Sequence, residues 1–207
     1  MSLFDFYHPV LRALEDGRAI RKAVALALRI FAILVAIGGI VLLVSVLKLS
    51  FALPSTAATL GGVVFSLILL VTSIAVAQIY SYRATSIDQL ADTQFNMIPI
   101  FSILLRATGE TYATAGVAVG VGGCLLTWLS GLNPMQMLPG FGDLLPTIRA
   151  EGSFLGGLGL LVYLVTASLF ILVLFYFLAE SVVVVADIAR NVRHLRNQSE
   201  ASSAARA

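Results

Sequence analysis

The chain has 207 residues, of which 59% are hydrophobic and only 12% are charged, and its mean hydropathy is +0.97. Soluble domains contain roughly half apolar and a quarter charged residues, so these figures exclude an ordinary water-soluble globule. One cysteine, Cys124, leaves no intramolecular disulfide and no cysteine-based metal site. A net charge of +2 is too small for a nucleic-acid footprint. The composition predicts an integral membrane protein.

Charge-free runs in the sequence predict four transmembrane helices. Because about 20 apolar residues cross a hydrocarbon core of ~30 Å, each run supplies or nearly supplies one span. The runs also lack the alternation of a membrane β-barrel. We therefore predict an all-α polytopic fold. The runs are 30–47, 49–82, 111–142 and 152–179, and the helices are expected near 23–48, 57–82, 111–130 and 155–185.

The spans pair into two helical hairpins, and the segments around them have different characters. Apolar residues at helical spacing near the start predict an amphipathic N-terminal segment on the membrane surface. Paired glycines at similar places in the two hairpins indicate a weak parallel repeat, for which shared composition is the alternative. The predicted segments are 1–22 (amphipathic), 23–82 (first hairpin), 83–110 (connection), 111–185 (second hairpin, outer loop 131–155) and 186–207 (helix extension and tail).

The distribution of basic residues predicts the orientation. All 13 Lys and Arg residues except Lys48 and Arg149 fall on one side of the predicted spans. Since positive charge collects in cytoplasmic segments, both termini and the 83–110 connection are expected in the cytoplasm. A bacterial inner membrane is the expected location.

Two connecting segments are apolar although they are too short or too broken to span. The 83–110 connection contains an apolar patch interrupted by Pro99. This pattern predicts an interfacial or shallow re-entrant segment. The outer loop must be covered by lipid, by the protein itself or by a partner. Its candidate partner-docking residues are Met135, Met137, Phe141 and Leu144.

The charged residues nearest the predicted membrane core are Arg29 and Glu180. Both lie one or two turns from the cytoplasmic ends of their helices, so their depths match and an intramembrane ion pair is expected. Pairing of Glu180 with Arg83 or Arg106 is an alternative. An arginine this close to the interface can also extend its side chain to the headgroups.

Span three carries a face of small residues, Gly116, Gly120 and Gly123. Lipid supplies no hydrophobic drive between helices, so close backbone approach at glycine is a main source of helix association. This face serves either packing within the chain or docking of another subunit.

The sequence contains few of the residues and motifs that catalytic or metal sites require. The two histidines, His8 and His194, lie in the end segments, and no phosphate loop, zinc-protease or nucleophile-elbow motif is present. We expect no enzyme activity and no cofactor. An enzymatic alternative would require Asp88, Asp92 and Glu110 to converge.

The closing stretch 177–193 resembles the ends of small bacterial two-helix membrane proteins, which implies no activity. The sequence as a whole favours a non-catalytic accessory or scaffold subunit that contacts membrane lipid and a larger membrane-protein partner or further copies of itself. No nucleic-acid partner is expected. The alternative is a small oligomeric channel or transporter lined by polar residues of the spans: Ser66, Thr72, Ser73, Gln78 and Thr166.

Overall fold

The computed structural model describes residues 18–53, 55–90, 97–132, 134 and 154–204. They form four helices and, within these ranges, no strand. Each helix is long and apolar enough to cross a membrane, so the predicted all-α fold is confirmed. The helices are α1 (Arg18–Phe51), α2 (Thr56–Asp88), α3 (Met97–Ser130) and α4 (Phe154–Ala204).

Local capping explains two helix ends. Ser55 is extended and its hydroxyl accepts a hydrogen bond from the Ala58 amide at 3.1 Å, which satisfies one free donor at the start of α2. At the end of α3, Gly131 adopts φ +70° and its amide donates to the Thr127 carbonyl at 2.9 Å. This left-handed residue ends the helix, and glycine takes it without a steric penalty.

Helices α2 and α3 extend well beyond the spans predicted from charge. The region 97–110, expected to be an interfacial or re-entrant connection, is the first part of α3. Pro99 does not break it, because a residue in the first helical turn needs no amide donor. The described part of the N-terminal segment, from Arg18, likewise continues directly into α1.

The helices pack as an open row. Extensive contacts join α1 to α2, α2 to α3, and α3 to α4, whereas α1 and α4 share no such interface. Consecutive helices are antiparallel, so the start of α1, the end of α2 and the start of α3 meet at one end of the molecule. We call it the charged end, because Arg21, Arg29, Arg83 and Arg106 lie there.

Small residues set the distance between neighbouring helices. Gly39 of α1 faces Ser73 of α2, and Gly62 of α2 faces Ser50 of α1. Both serine hydroxyls donate hydrogen bonds to backbone carbonyls of their own helix. Ser50 donates to the Val46 carbonyl at 2.6 Å, and Ser73 donates to the Leu69 carbonyl at 2.8 Å. The two backbones therefore approach closely without leaving a polar group unsatisfied in an apolar layer.

Buried apolar clusters lie near both ends of the helices, measured along their axes. At the charged end α1, α2 and α3 meet in a cluster of Ala25, Leu28, Ala84, Ile87 and Ile100. At the opposite end the cluster is Val46, Phe65, Leu69 and Leu126. Most remaining large apolar side chains face outward, as expected for a surface solvated by lipid.

Two adjacent glycines give a matched test of the close contact. A Cβ at Gly39 would overlap the Ser73 side chain next to its backbone, so Gly39→Ala is expected to lower the free energy of unfolding by about 1–3 kcal/mol. A Cβ at Gly38 meets nothing within 4 Å, so Gly38→Ala should be neutral or stabilising by up to ~1 kcal/mol. Denaturation in detergent micelles followed by circular dichroism measures both. Equal effects of the two substitutions would refute this packing.

Candidate functional site

A polar cluster at the charged end joins three helices. Arg83 of α2 donates to both carboxylate oxygens of Glu110 of α3, with its Nε 3.0 Å from Oε2. Tyr176 of α4 donates its hydroxyl to Glu110 Oε1 at 2.6 Å and accepts from Arg83 Nη2 at 3.3 Å. A two-pronged arginine–carboxylate contact is the strongest geometry for such a pair.

This cluster is largely shielded. The Arg83 and Glu110 side chains are 14% and 20% exposed. Shielding removes water from both charges, so their mutual attraction is strong but each is costly if its partner is lost. Glu110 is the centre of the cluster, because donors from α2 and α4 converge on its two oxygens.

Arg106 lies one helical turn from Glu110 on α3 but does not pair with it. Its guanidinium carbon is 5.5 Å from the centroid of the Tyr176 ring. Its Nε is buried and has no hydrogen-bond partner, and no ion pair links it to any part of the chain that the structure describes. With Arg83 and Glu110 neutralising each other, the cluster carries one excess positive charge, on Arg106.

The predicted partner of Arg29 is not the one observed. Arg29 pairs with Asp88 of α2, whereas Glu180 has no ion pair within the described ranges. The reason is the lateral order of the helices, since α1 and α4 stand at opposite ends of the row. The alternative pairs of Glu180 with Arg83 or Arg106 do not form either. Arg83 forms its ion pair with Glu110, and the guanidinium of Arg106 lies over the Tyr176 ring.

The Arg29–Asp88 pair differs from the central cluster in exposure, with side chains 52% and 31% exposed. Beside it, buried Arg21 donates to the Leu90 carbonyl just past the end of α2. These contacts hold the start of α1 to the end of α2, but exposed ion pairs contribute little net stability.

The glycine face of α3 packs inside the chain. Gly116 faces the Ser168 hydroxyl, a Cβ on Gly120 would lie 3.1 Å from Leu164 Cβ, and one on Gly123 would lie 2.9 Å from Leu160 Cδ2. All three neighbours belong to α4. Of the two roles considered for this face, the contacts therefore fit packing of α3 against α4.

Other predicted sites can be placed only in part. The docking-loop residues Met135, Met137, Phe141 and Leu144 lie outside the described residues, as does Asp92. Asp88 and Glu110 do not converge, since each has its own arginine. Within the described ranges no group of three His, Cys, Asp or Glu residues is placed to hold a metal ion.

The polar residues of the spans are mostly satisfied locally. Ser66, Thr72 and Ser73 donate to carbonyls of their own helix at 2.7–2.8 Å. Gln78 and Thr166 are exposed on the outer surface, on α2 and α4. The five candidates therefore differ in exposure, since Ser66 is buried and Thr72 and Ser73 are half-buried.

Comparison with known proteins gives no relative: no protein-family model, no curated protein and no solved structure matches the chain.

The central cluster predicts an asymmetric response to substitution. Arg83→Met leaves the shielded Glu110 charge without its main partner and should cost about 2–3 kcal/mol of unfolding free energy. In the double variant Arg83→Met with Glu110→Met neither charge is left alone, so we expect more than half of that loss to be recovered. Denaturation in detergent, combined as a double-mutant cycle, measures the coupling.

Arg29→Met is the matched control, because it removes one arginine from a much more exposed pair. Its expected cost is below about 1 kcal/mol. A cost equal to that of Arg83→Met would show that shielding does not distinguish the two pairs.

Proposed function

We propose that this protein is a non-catalytic integral membrane accessory or scaffold subunit that packs against a larger membrane-protein assembly. The observation that carries the proposal is the open row. A row that does not close on itself leaves α1 and α4 with one extensive helical interface each and keeps most of their apolar surface outward.

The outer helices have features suited to further helix contacts. Gly38 on α1 and Gly159 on α4 each have open space where a Cβ would be, unlike the glycines that face neighbouring helices. Exposed Leu34 and Val41 flank Gly38 by one turn, and exposed Leu155 and Val162 flank Gly159. A glycine with open space beside it, between apolar residues, lets a partner helix approach its backbone closely.

The polar residues support the scaffold over the channel alternative. Hydroxyl groups that already donate to their own helix backbone are poorly placed to bind an ion or solute in a pore. The shielded charges are paired with one another at one end instead of being distributed along a transmembrane route. Formation of a pore by several copies is nevertheless an outcome that the experiment below distinguishes.

Purification from the native membrane in mild detergent, followed by mass spectrometry, tests the proposal. We expect a larger membrane protein to co-elute in fixed proportion, and Gly38→Leu or Gly159→Leu to reduce its recovery several-fold by blocking close helix approach. Val71→Leu is the control, since it enlarges an exposed side chain on α2, inside the row.

A chain that elutes alone would contradict the scaffold proposal. A complex that contains only copies of this chain would favour the channel or transporter alternative. Recovery that falls equally in Val71→Leu would assign the loss to general surface disturbance.

We further propose that both termini are cytoplasmic, because the charged end carries most of the arginines. The membrane we propose is a bacterial inner membrane. In a Cys124→Ser background, Arg193→Cys should be labelled by a membrane-impermeant maleimide only after cells are opened. Ala52→Cys, in the exposed turn after α1, should be labelled in intact cells once any outer barrier is permeabilised. The reverse labelling pattern would invert the orientation.

A further inference from the structure

The excess positive charge of the polar cluster lies where a bilayer presents phosphate groups. At about 1.5 Å per residue, the part of α3 from Arg106 to Trp128 spans about 33 Å. That length is close to the ~30 Å hydrocarbon thickness, and tryptophan collects at membrane interfaces. With Trp128 at one hydrocarbon edge, Arg106 therefore lies at the other. Since a helical side chain points toward the helix N-terminus, the Arg106 guanidinium is directed outward from that edge.

No ion pair within the described parts of the chain neutralises this arginine. Both oxygens of Glu110, the carboxylate one helical turn away on α3, already accept hydrogen bonds from Arg83 and Tyr176. Arg106 Nε is buried without a partner. Because Nε is enclosed by the protein, an anion from outside the chain reaches the guanidinium through its terminal nitrogens. Such an anion lowers the cost of holding an unpaired positive charge that is partly withdrawn from water.

A ring contact also limits the orientation of the guanidinium. The Tyr176 ring lies 5.5 Å from its central carbon, and the hydroxyl of that tyrosine is held by Glu110 at 2.6 Å. Arginine presents a rigid fork of donors that matches phosphate oxygens. A ring anchored in this way limits the positions of the fork, which distinguishes Arg106 from exposed arginines such as Arg193 on the α4 extension.

We propose that Arg106, positioned by Tyr176 and Glu110, binds the phosphate group of an anionic phospholipid in the leaflet at the charged end. The shared chemistry is a phosphate dianion or diester that accepts hydrogen bonds from one guanidinium. A lipid headgroup and free inorganic phosphate are the two possible sources.

Thermal unfolding of the purified full chain tests the site, because a ligand that binds only the folded state raises the unfolding temperature. The protein in neutral detergent is titrated separately with phosphatidylglycerol, with phosphatidylcholine and with inorganic phosphate, and helix content is followed by circular dichroism. We expect phosphatidylglycerol to raise the unfolding temperature most. Arg106→Gln should require at least about tenfold more of this lipid for the same rise. Arg193→Gln, which removes one exposed arginine, should respond as the unmodified chain does.

Arg106→Lys provides a second variant that keeps the charge but loses the planar fork, and it should need several-fold more lipid. Without added lipid, Arg106→Gln should unfold at the same temperature or higher, which separates loss of binding from loss of folding. If inorganic phosphate alone gives the Arg106-dependent rise, the phosphate site stands and its ligand comes from solution. An unchanged lipid response in Arg106→Gln, or an equal loss in Arg193→Gln, would overturn the proposal.

Discussion

The architecture depends on close approach of helix backbones at glycine, because hydrocarbon offers no hydrophobic drive to hold helices together. Each interface has such a point: Gly39 against Ser73, Gly122 against Phe65 and Gly116 against Ser168. These contacts fix how far each helix is shifted along its neighbour. The shift in turn brings Arg83, Glu110 and Tyr176 to a common level, so the polar cluster is a consequence of apolar packing as much as of charge attraction.

The polar cluster in turn explains how charged residues can lie well inside the helices. A carboxylate that receives donors from α2 and α4 at once ties three helices through one side chain. Such a group favours the observed adjacency of α2 and α3, because separating Arg83 from Glu110 would leave a shielded charge unpaired. Arg106 lies beside this cluster, and its buried Nε has no hydrogen-bond acceptor among the described residues.

The sequence predicted the four spans because hydropathy is a local property, and a helix that crosses lipid must satisfy its backbone within itself. It did not predict the lateral order of the helices, so Arg29 was assigned to Glu180 when its neighbour is Asp88. The extension of α3 to Met97 was missed because Pro99 is a helix breaker everywhere except in the first turn. The spacing of Arg106 and Glu110, four residues apart, was an available sign of a shared face. Nothing in the apolar run around Tyr176 marked that tyrosine as their partner.

The 51-residue length of α4 has a mechanical consequence. Residues 179–204 contain neither glycine nor proline, so this part of the helix has no natural hinge. A rotation of α4 about its own axis at Tyr176 would therefore also rotate the exposed Arg193, which lies farther along the same continuous helix.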